Sequence, residues 1–154
     1  MQDGPGAGSV DAIFGVIDAG NDLTWRYLLP NRKDLSPSAV LVLNRVTREG
    51  PMRLTALAAA EDTSQPAMTQ LVQRMERQGL LERLRDPDDG RAALVAISKS
   101  GEELWARRAE GRRERLAELL TRLSSEDELA LWLAAQVALP ILRQLVQIAT
   151  SPEQ

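Results

Sequence analysis

Apolar residues recur every three or four positions over most of the chain, a spacing that places them on one face of an α-helix. The first such segment begins near Ser9 and ends by Pro30. Ser36 followed by Pro37 has the form of an N-cap and a first-turn proline, so a second helix is predicted to begin there and to continue to about Arg48. The chain therefore begins with two predicted helices.

The next two predicted helices are short and are joined by the polar turn EDTS. An alanine-rich helix starts at Thr55, and after the turn Ser64 is the predicted N-cap of a helix with Pro66 in its first turn. Gly79 supplies the left-handed residue that ends this helix. Its apolar face consists of Met68, Leu71, Val72 and Met75. Its polar face consists of Gln65, Thr69, Gln70, Gln73, Arg74 and Arg77.

After this helix the pattern alternates, as it does in β-strands. The residues LLERLR before DPDDG and RAALVAI after it predict a hairpin with an Asp-Gly turn. Two longer helices follow, the first starting at Ser98 or Ser100 and the second opened by a capping box of Ser125 and Glu128. Pro140 is predicted to kink the last helix. Two short helices followed by a hairpin have the order of a winged helix-turn-helix.

Composition excludes several classes of function. The chain has no cysteine and no histidine, so it lacks a thiolate nucleophile, a disulfide and the commonest general base, and only carboxylates remain to bind a metal. A catalyst would need carboxylates or the two lysines, Lys33 and Lys99. We therefore expect no catalytic residue, no metal and no cofactor. The net charge of -3 and the pI of about 5.1 argue against a surface that binds nucleic acid everywhere, although a local basic patch is compatible with them.

Two segments bear on the cellular location. The longest apolar run, LALWLAAQVALPIL at 129–142, is shorter than a bilayer span and contains Gln136 and Pro140, so it is predicted to be a buried helix. The N-terminal residues MQDGPGAG lack a basic region followed by an apolar core, so no signal peptide is predicted. We expect a cytoplasmic protein with no membrane partner.

The stretch from residue 54 to residue 104 resembles the MarR family of winged-helix transcriptional regulators. The residues DPDDGR followed by LVAISKSG are the most specific part of this resemblance. Gly90 departs from it, because many members carry a second basic residue before the arginine that corresponds to Arg91. The resemblance implies a homodimer with interlocked terminal helices on a pseudo-palindromic operator in double-stranded DNA. It also implies repression of nearby genes and, often, release by a small ligand that is frequently aromatic.

The predicted fold is mainly α with a small β-hairpin wing. Residues 36–99 form the winged helix-turn-helix DNA-binding domain, 9–35 and 100–150 form dimerisation helices, and 1–8 are disordered. The apolar faces of the terminal helices exceed what one small domain covers, which supports the dimer.

Glutamine, threonine and arginine are side chains that read base edges and phosphates, and they define the predicted DNA-binding set. It consists of Ser64, Gln65, Thr69, Gln70, Gln73, Arg74, Arg83, Arg85 and Arg91. The aspartates of the wing tip are interpreted as turn formers and as a brace, in which Asp86 or Asp88 pairs with Arg91 and directs it toward the minor groove. The alternative is that Arg91 only neutralises the turn.

An effector site is predicted between the dimerisation helices and the winged domain, lined by Trp25, Arg26, Val42 and Val46. Arg26 beside Trp25 would bind an anionic aromatic compound. The alternatives are that tryptophan belongs to the core or the dimer interface, and that Arg26 is an ordinary surface arginine. The arginines of residues 107–115 could touch phosphates, but their interleaved glutamates favour a solvated helix face. A winged helix used for protein contact, without DNA binding, is the alternative function.

Overall fold

The computed structural model describes residues 6–29, 35–89 and 92–150 of the 154-residue chain. The helices are α1 (Ala7–Leu23), α2 (Pro37–Glu49), α3 (Leu54–Ala60), α4 (Gln65–Arg77), α5 (Lys99–Leu120) and α6 (Ser125–Thr150). The strands are β1 (Met52–Arg53), β2 (Leu81–Arg85) and β3 (Ala93–Ile97). A π-helical turn, Thr24–Leu28, continues α1. This order confirms the predicted fold, with α1 beginning two residues earlier than expected.

The chain divides into two compact units, Met1–Arg113 and Glu114–Gln154. The first unit holds the sheet and its helices, and the second holds the end of α5 and all of α6. The boundary inside α5 lies later in the chain than the predicted end of the winged domain at residue 99.

The core of the first unit lies where α2 and α3 pack on β3 and where α4 packs on β2 and on the other two helices. Its largest fully buried side chains are Leu43, Leu57, Met68, Met75, Val42, Val46, Val72 and Val95. All four residues of the predicted apolar face of α4 are buried, which confirms that face. The opposite face of α4 is thereby directed away from the core.

The wing is part of a three-stranded antiparallel sheet with strand order β1-β3-β2. Arg85 pairs with Ala93 at the wing end of β2, and Arg53 of β1 pairs with Leu94 of β3. Strand β1 was not predicted, because two residues are too few to show an alternating pattern. Strand β3 is therefore bonded on both sides, whereas β2 is an outer strand of the sheet.

Serine residues cap the N-termini of α2 and α4, as the sequence predicts. The Oγ of Ser36 accepts the N–H of Ala39 at 3.3 Å, and the Oγ of Ser64 accepts the N–H of Ala67 at 3.4 Å. In both helices a proline occupies the first turn, where its missing N–H leaves no bond unmade. The N-terminus of α4 is therefore fixed by its own sequence.

The N-caps of α5 and α6 decide between Ser98 and Ser100 as the start of α5 and correct the predicted cap of α6. Ser98 caps α5, since its Oγ accepts the N–H of Gly101 at 3.0 Å. The predicted capping box of Ser125 with Glu128 is wrong by one residue. The Oγ of Ser124 accepts the N–H of Asp127 at 3.1 Å and donates to the Asp127 carboxylate at 2.7 Å.

The turn between α3 and α4 contains a residue in the left-handed region. Asp62 has a φ of 45°, where a side chain is normally unfavourable and where aspartate and asparagine are tolerated better than most. Arg45 of α2 holds this turn from outside, donating from Nε to Glu61 and from Nη2 to the carbonyl of Ala60 at 3.3 Å. The hydrogen bond with Glu61 is the main cause that raises the pKa of Arg45.

Many apolar side chains of α1 and α6 are exposed. They include Phe14 and Val137, which are 66% and 68% exposed. Helix α6 continues through Pro140, and none of Ser125–Ala149 is buried within the chain, in contrast to the predicted buried helix. By length and mean hydropathy this segment could cross a membrane, which is weak evidence for a single helix.

Candidate nucleic-acid interface

Helix α4 presents a continuous polar face. Gln65, Gln70, Gln73 and Arg74 are exposed, whereas Thr69 is half-buried. The hydroxyl of Thr69 donates its proton to the carbonyl of Gln65 at 2.7 Å. Toward a group outside the helix, the hydroxyl oxygen can therefore only accept a hydrogen bond. The amides and the guanidinium supply both donors and acceptors, which is what reading base edges in a major groove requires.

An open groove of about 270 Å³ lies beside this face, between α2, the α3–α4 turn and α4. It is lined by Ser38, Leu41, Val42, Glu61, Thr63, Ala67, Met68, Gln70, Leu71 and Arg74. Since Gln70 and Arg74 belong to both the groove and the polar face, the two form one surface.

The two arginines of β2 have different surroundings. Arg83 is held by Glu76 of α4, with Nε–Oε1 at 2.8 Å and Nη2–Oε2 at 3.4 Å. Arg85 is exposed and forms no salt bridge within the part of the chain that the structure describes. Arg85 is thus the arginine of β2 whose guanidinium is available to a phosphate, whereas Arg83 joins β2 to α4.

Asp86 is the buried charge at the base of the wing, with an exposed fraction of 4%. Its Oδ1 accepts the N–H of Asp88 at 2.9 Å, and its Oδ2 accepts the guanidinium of Arg53, with the Nη2–Oδ2 distance at 2.7 Å. The N–H of Asp88 and then Arg53 hold the pKa of Asp86 below its usual range. Gly90 and Arg91 lie outside the described residues, so the predicted pair of Arg91 with Asp86 or Asp88 is not tested. The partner found for Asp86 was not predicted.

The predicted effector residues do not come together. Arg26 lies in solvent and pairs with Asp22 at 3.2 Å. Val42 and Val46 are buried in the core of the winged domain. Trp25 instead lines a small cavity of about 20 Å³. The other residues around that cavity are Leu29, Leu35, Pro37, Val40 and Arg108.

Arg108 was missed because the arginine-rich run was interpreted as a solvated face. That interpretation holds for Arg113, which pairs with Glu110 at 3.0 Å in solvent. Arg108 and Arg112 are half-buried, and Arg112 lies over the ring of Trp105 at 5.5 Å from its centroid. Burial, followed by the charges of Arg108 and Arg113, lowers the pKa of Arg112. Spacing along a helix could not reveal which arginines face inward.

No group of three or more acidic side chains is placed to hold a metal ion among residues 6–29, 35–89 and 92–150. Main-chain hydrogen bonds join the two sides of the wing: the carbonyl of Asp89 accepts the N–H of Ala92 at 2.9 Å, and the N–H of Asp86 donates to the carbonyl of Ala92 at 3.2 Å.

Comparisons with known proteins agree with this geometry. The model of the MarR family matches residues 35–93. Mb0904, an uncharacterized HTH-type transcriptional regulator of Mycobacterium bovis, is 34% identical over 108 residues, which are 70% of this chain and 76% of that protein. The transcriptional regulator Tm0710 from Thermotoga maritima has a TM-score of 0.74 at 22% identity, covering 90% of this chain and 97% of that one. A MepR mutant of S. aureus bound to an oligodeoxyribonucleotide has a TM-score of 0.61 at 19% identity, covering 86% and 97%.

Proposed function

This chain belongs to the MarR family of helix-turn-helix transcriptional regulators, which bind DNA, and from that premise we propose that it is a dimeric, sequence-specific repressor that a small ligand releases from its operator. The family consists of regulators rather than enzymes. A regulator of this kind acts in the cytoplasm, where the DNA is.

The observation that carries the proposal is the exposed polar face of α4 on a helix whose other face is fully buried. Gln70 in the middle of this face can make a bidentate contact with adenine, and Arg74 one turn later lies nearer to phosphate. Arg85 at the wing adds a second charge that is available to the DNA backbone. The oligodeoxyribonucleotide bound to the MepR mutant is consistent with this use of the fold.

Selection of fragments from the source genome with purified protein tests the function. We expect enrichment of a pseudo-palindromic site and a steep loss of affinity with salt, because phosphate neutralisation releases counterions. A protein that enriches no fragment and shows a flat salt dependence would instead be a winged helix used for protein contact. The acidic pI and the pairing of Arg83 with Glu76 are the features that favour this second candidate.

Alanine at Gln70 should relax sequence preference at one operator position in each half-site. A bidentate contact to a base is worth about 1 to 3 kcal/mol of discrimination, whereas a phosphate contact weakens all sequences alike. Alanine at Arg74 is the matched comparison and should lower affinity without changing preference. Binding measured against a set of single-base operator variants distinguishes the two, and an unchanged preference in Gln70→Ala would contradict this assignment.

The homodimer is supported by the distribution of apolar residues on α6. Leu129, Leu133, Val137 and Ile141 follow one side of the helix at a spacing of four. A second side carries Trp132, Leu139 and Val146 at a spacing of seven. A polar strip with Gln136, Arg143 and Gln147 lies between them, and Gln144 interrupts the first side near its end. A helix that is apolar on two sides requires partners on both, and a second copy of the chain, with its exposed α1 face, supplies them.

Release by a ligand would require the cavity beside Trp25 to open, because its volume of about 20 Å³ is that of a single water. Arg108 at this cavity supplies the positive charge that the sequence assigned to Arg26. Aromatic carboxylates match a tryptophan next to an arginine. We expect a member of this class to raise the melting temperature and weaken operator binding. Trp25→Ala should lose both responses, and Arg26→Ala, the matched control, should keep them. A panel that produces neither response would remove this site.

A further inference from the structure

An ion pair joins the two outer strands of the sheet across its middle strand. Arg53 is the last residue of β1, and Asp86 directly follows the last residue of β2. Strand β3 lies between them, and Arg53 is paired with Leu94 on it. The Nε and Nη2 atoms of Arg53 both lie 2.7 Å from Oδ2 of Asp86. This contact links positions 33 residues apart in the sequence.

Both carboxylate oxygens of Asp86 are bonded within the chain. One carboxylate oxygen takes the guanidinium and the other takes the N–H of Asp88 at 2.9 Å. The backbone N–H of Asp86 donates to the carbonyl of Ala92, across the point where the wing leaves the ladder. Asp86 is therefore the residue at which the hairpin, the wing turn and β1 meet.

We propose that Arg53 is a positioning residue for the wing: by holding Asp86 it fixes the direction in which the wing leaves the sheet, and so it sets the wing's place on DNA without touching DNA itself. Arg53 is followed immediately by Leu54, the first residue of α3, so the same pair ties the wing to the helix-turn-helix. This inference rests on the proposed DNA-binding function.

The competing role for Arg53 is a direct phosphate contact, because its side chain is 49% exposed. The two roles differ in what they require of Asp86. If Arg53 binds phosphate, Asp86 is only a nearby negative charge, and its removal strengthens DNA binding. If Arg53 positions the wing, removal of Asp86 weakens DNA binding although the surface has lost a negative charge.

Asp86→Asn is therefore the decisive variant. We expect it to weaken binding to the selected operator by about fivefold or more, which is within the range of coupling measured between residues that share one contact. Arg53→Ala should weaken binding to a similar extent. The double variant should bind the operator as tightly as the single variant that has the lower affinity, because both changes break the same contact. Tighter binding by Asp86→Asn, or losses that multiply in the double variant, would overturn the proposal.

Arg85→Ala is the matched control, an arginine on the same sheet for which the described residues supply no carboxylate partner. It should weaken binding and flatten the salt dependence by about one unit, while leaving the exchange of the wing amides unchanged. Arg53→Ala should speed hydrogen exchange at the Asp88 and Ala92 amides with the melting temperature of the winged domain retained. Unchanged exchange at both amides would overturn the positioning role. The exchange measurement needs no DNA, so failure of the wild-type protein to bind any operator would overturn the proposed function separately.

Discussion

Replacement of Val137 by glutamate should convert the protein to a monomer at micromolar concentration. Val137 is 68% exposed on one apolar side of α6, in the surface that we assign to the dimer. A carboxylate buried there without a partner costs about 3 kcal/mol, and the symmetry of a homodimer applies the cost twice. The dissociation constant should then rise by about 10⁴-fold. Light scattering and sedimentation measure the change directly.

Gln136→Glu adds the same charge one residue earlier, in the polar strip, and should leave the dimer intact. Removal of α6 by ending the chain at Leu123 should likewise abolish the dimer. Affinity for a full palindrome should collapse to that for a half-site in Val137→Glu, since the second half-site no longer binds intramolecularly. A dimeric Val137→Glu protein, or dimers of the chain that ends at Leu123, would contradict the assigned interface.

Alanine at Gly101 should destabilise the protein by about 2 kcal/mol, although alanine favours helices. A Cβ at this position would lie 2.2 Å from the carbonyl oxygen of Leu80 and 2.9 Å from Cγ1 of Ile97. The Leu80 oxygen cannot move aside easily, because it accepts the N–H of Ser98 at 3.1 Å. The first turn of α5 would have to shift away from the sheet. A fall in melting temperature of roughly 4 to 8 °C is expected.

Gly15→Ala is the control for helix propensity. Gly15 lies inside α1, with nothing within 4 Å of an added Cβ, on the side opposite Val10, Phe14 and Ile17. This change should be neutral or slightly stabilising, by up to about 1 kcal/mol. An unchanged melting temperature in Gly101→Ala would show that α5 can give way at its first turn.

The winged domain was predictable because its signals are local. Ser64 and Pro66 at the start of α4, and Gly79 with a φ of 72° after its end, determine this helix within a few residues of one another. The buried set of Met68 and Met75 with their neighbours followed from helical spacing alone. The capping box of α6 was placed one residue late because Ser124 and Ser125 both precede an acidic residue at the right distance.

The contacts that define the candidate site were not predictable in the same way. The pairs of Arg53 with Asp86 and of Arg83 with Glu76 join separate elements, and no pattern along the chain identifies which carboxylate an arginine will meet. Arg108 was assigned to solvent because helical spacing shows which side of α5 a residue occupies, but not which other part of the chain packs against that side. Val42 and Val46 were placed at a ligand site for the same reason, since an apolar position can face either a cavity or the core.

The cap on α6 has a consequence for how the proposed dimer would form. Ser124 and Asp127 bond reciprocally, and the first turn carries Glu126, Asp127 and Glu128 at the positive end of the helix dipole. These stabilising contacts all come from the same chain, so the start of α6 does not depend on a second copy. The exposed apolar sides beyond this turn lack the packing that gives a helix most of its stability. In the proposed dimer, folding of the rest of α6 would therefore be coupled to association of the two chains.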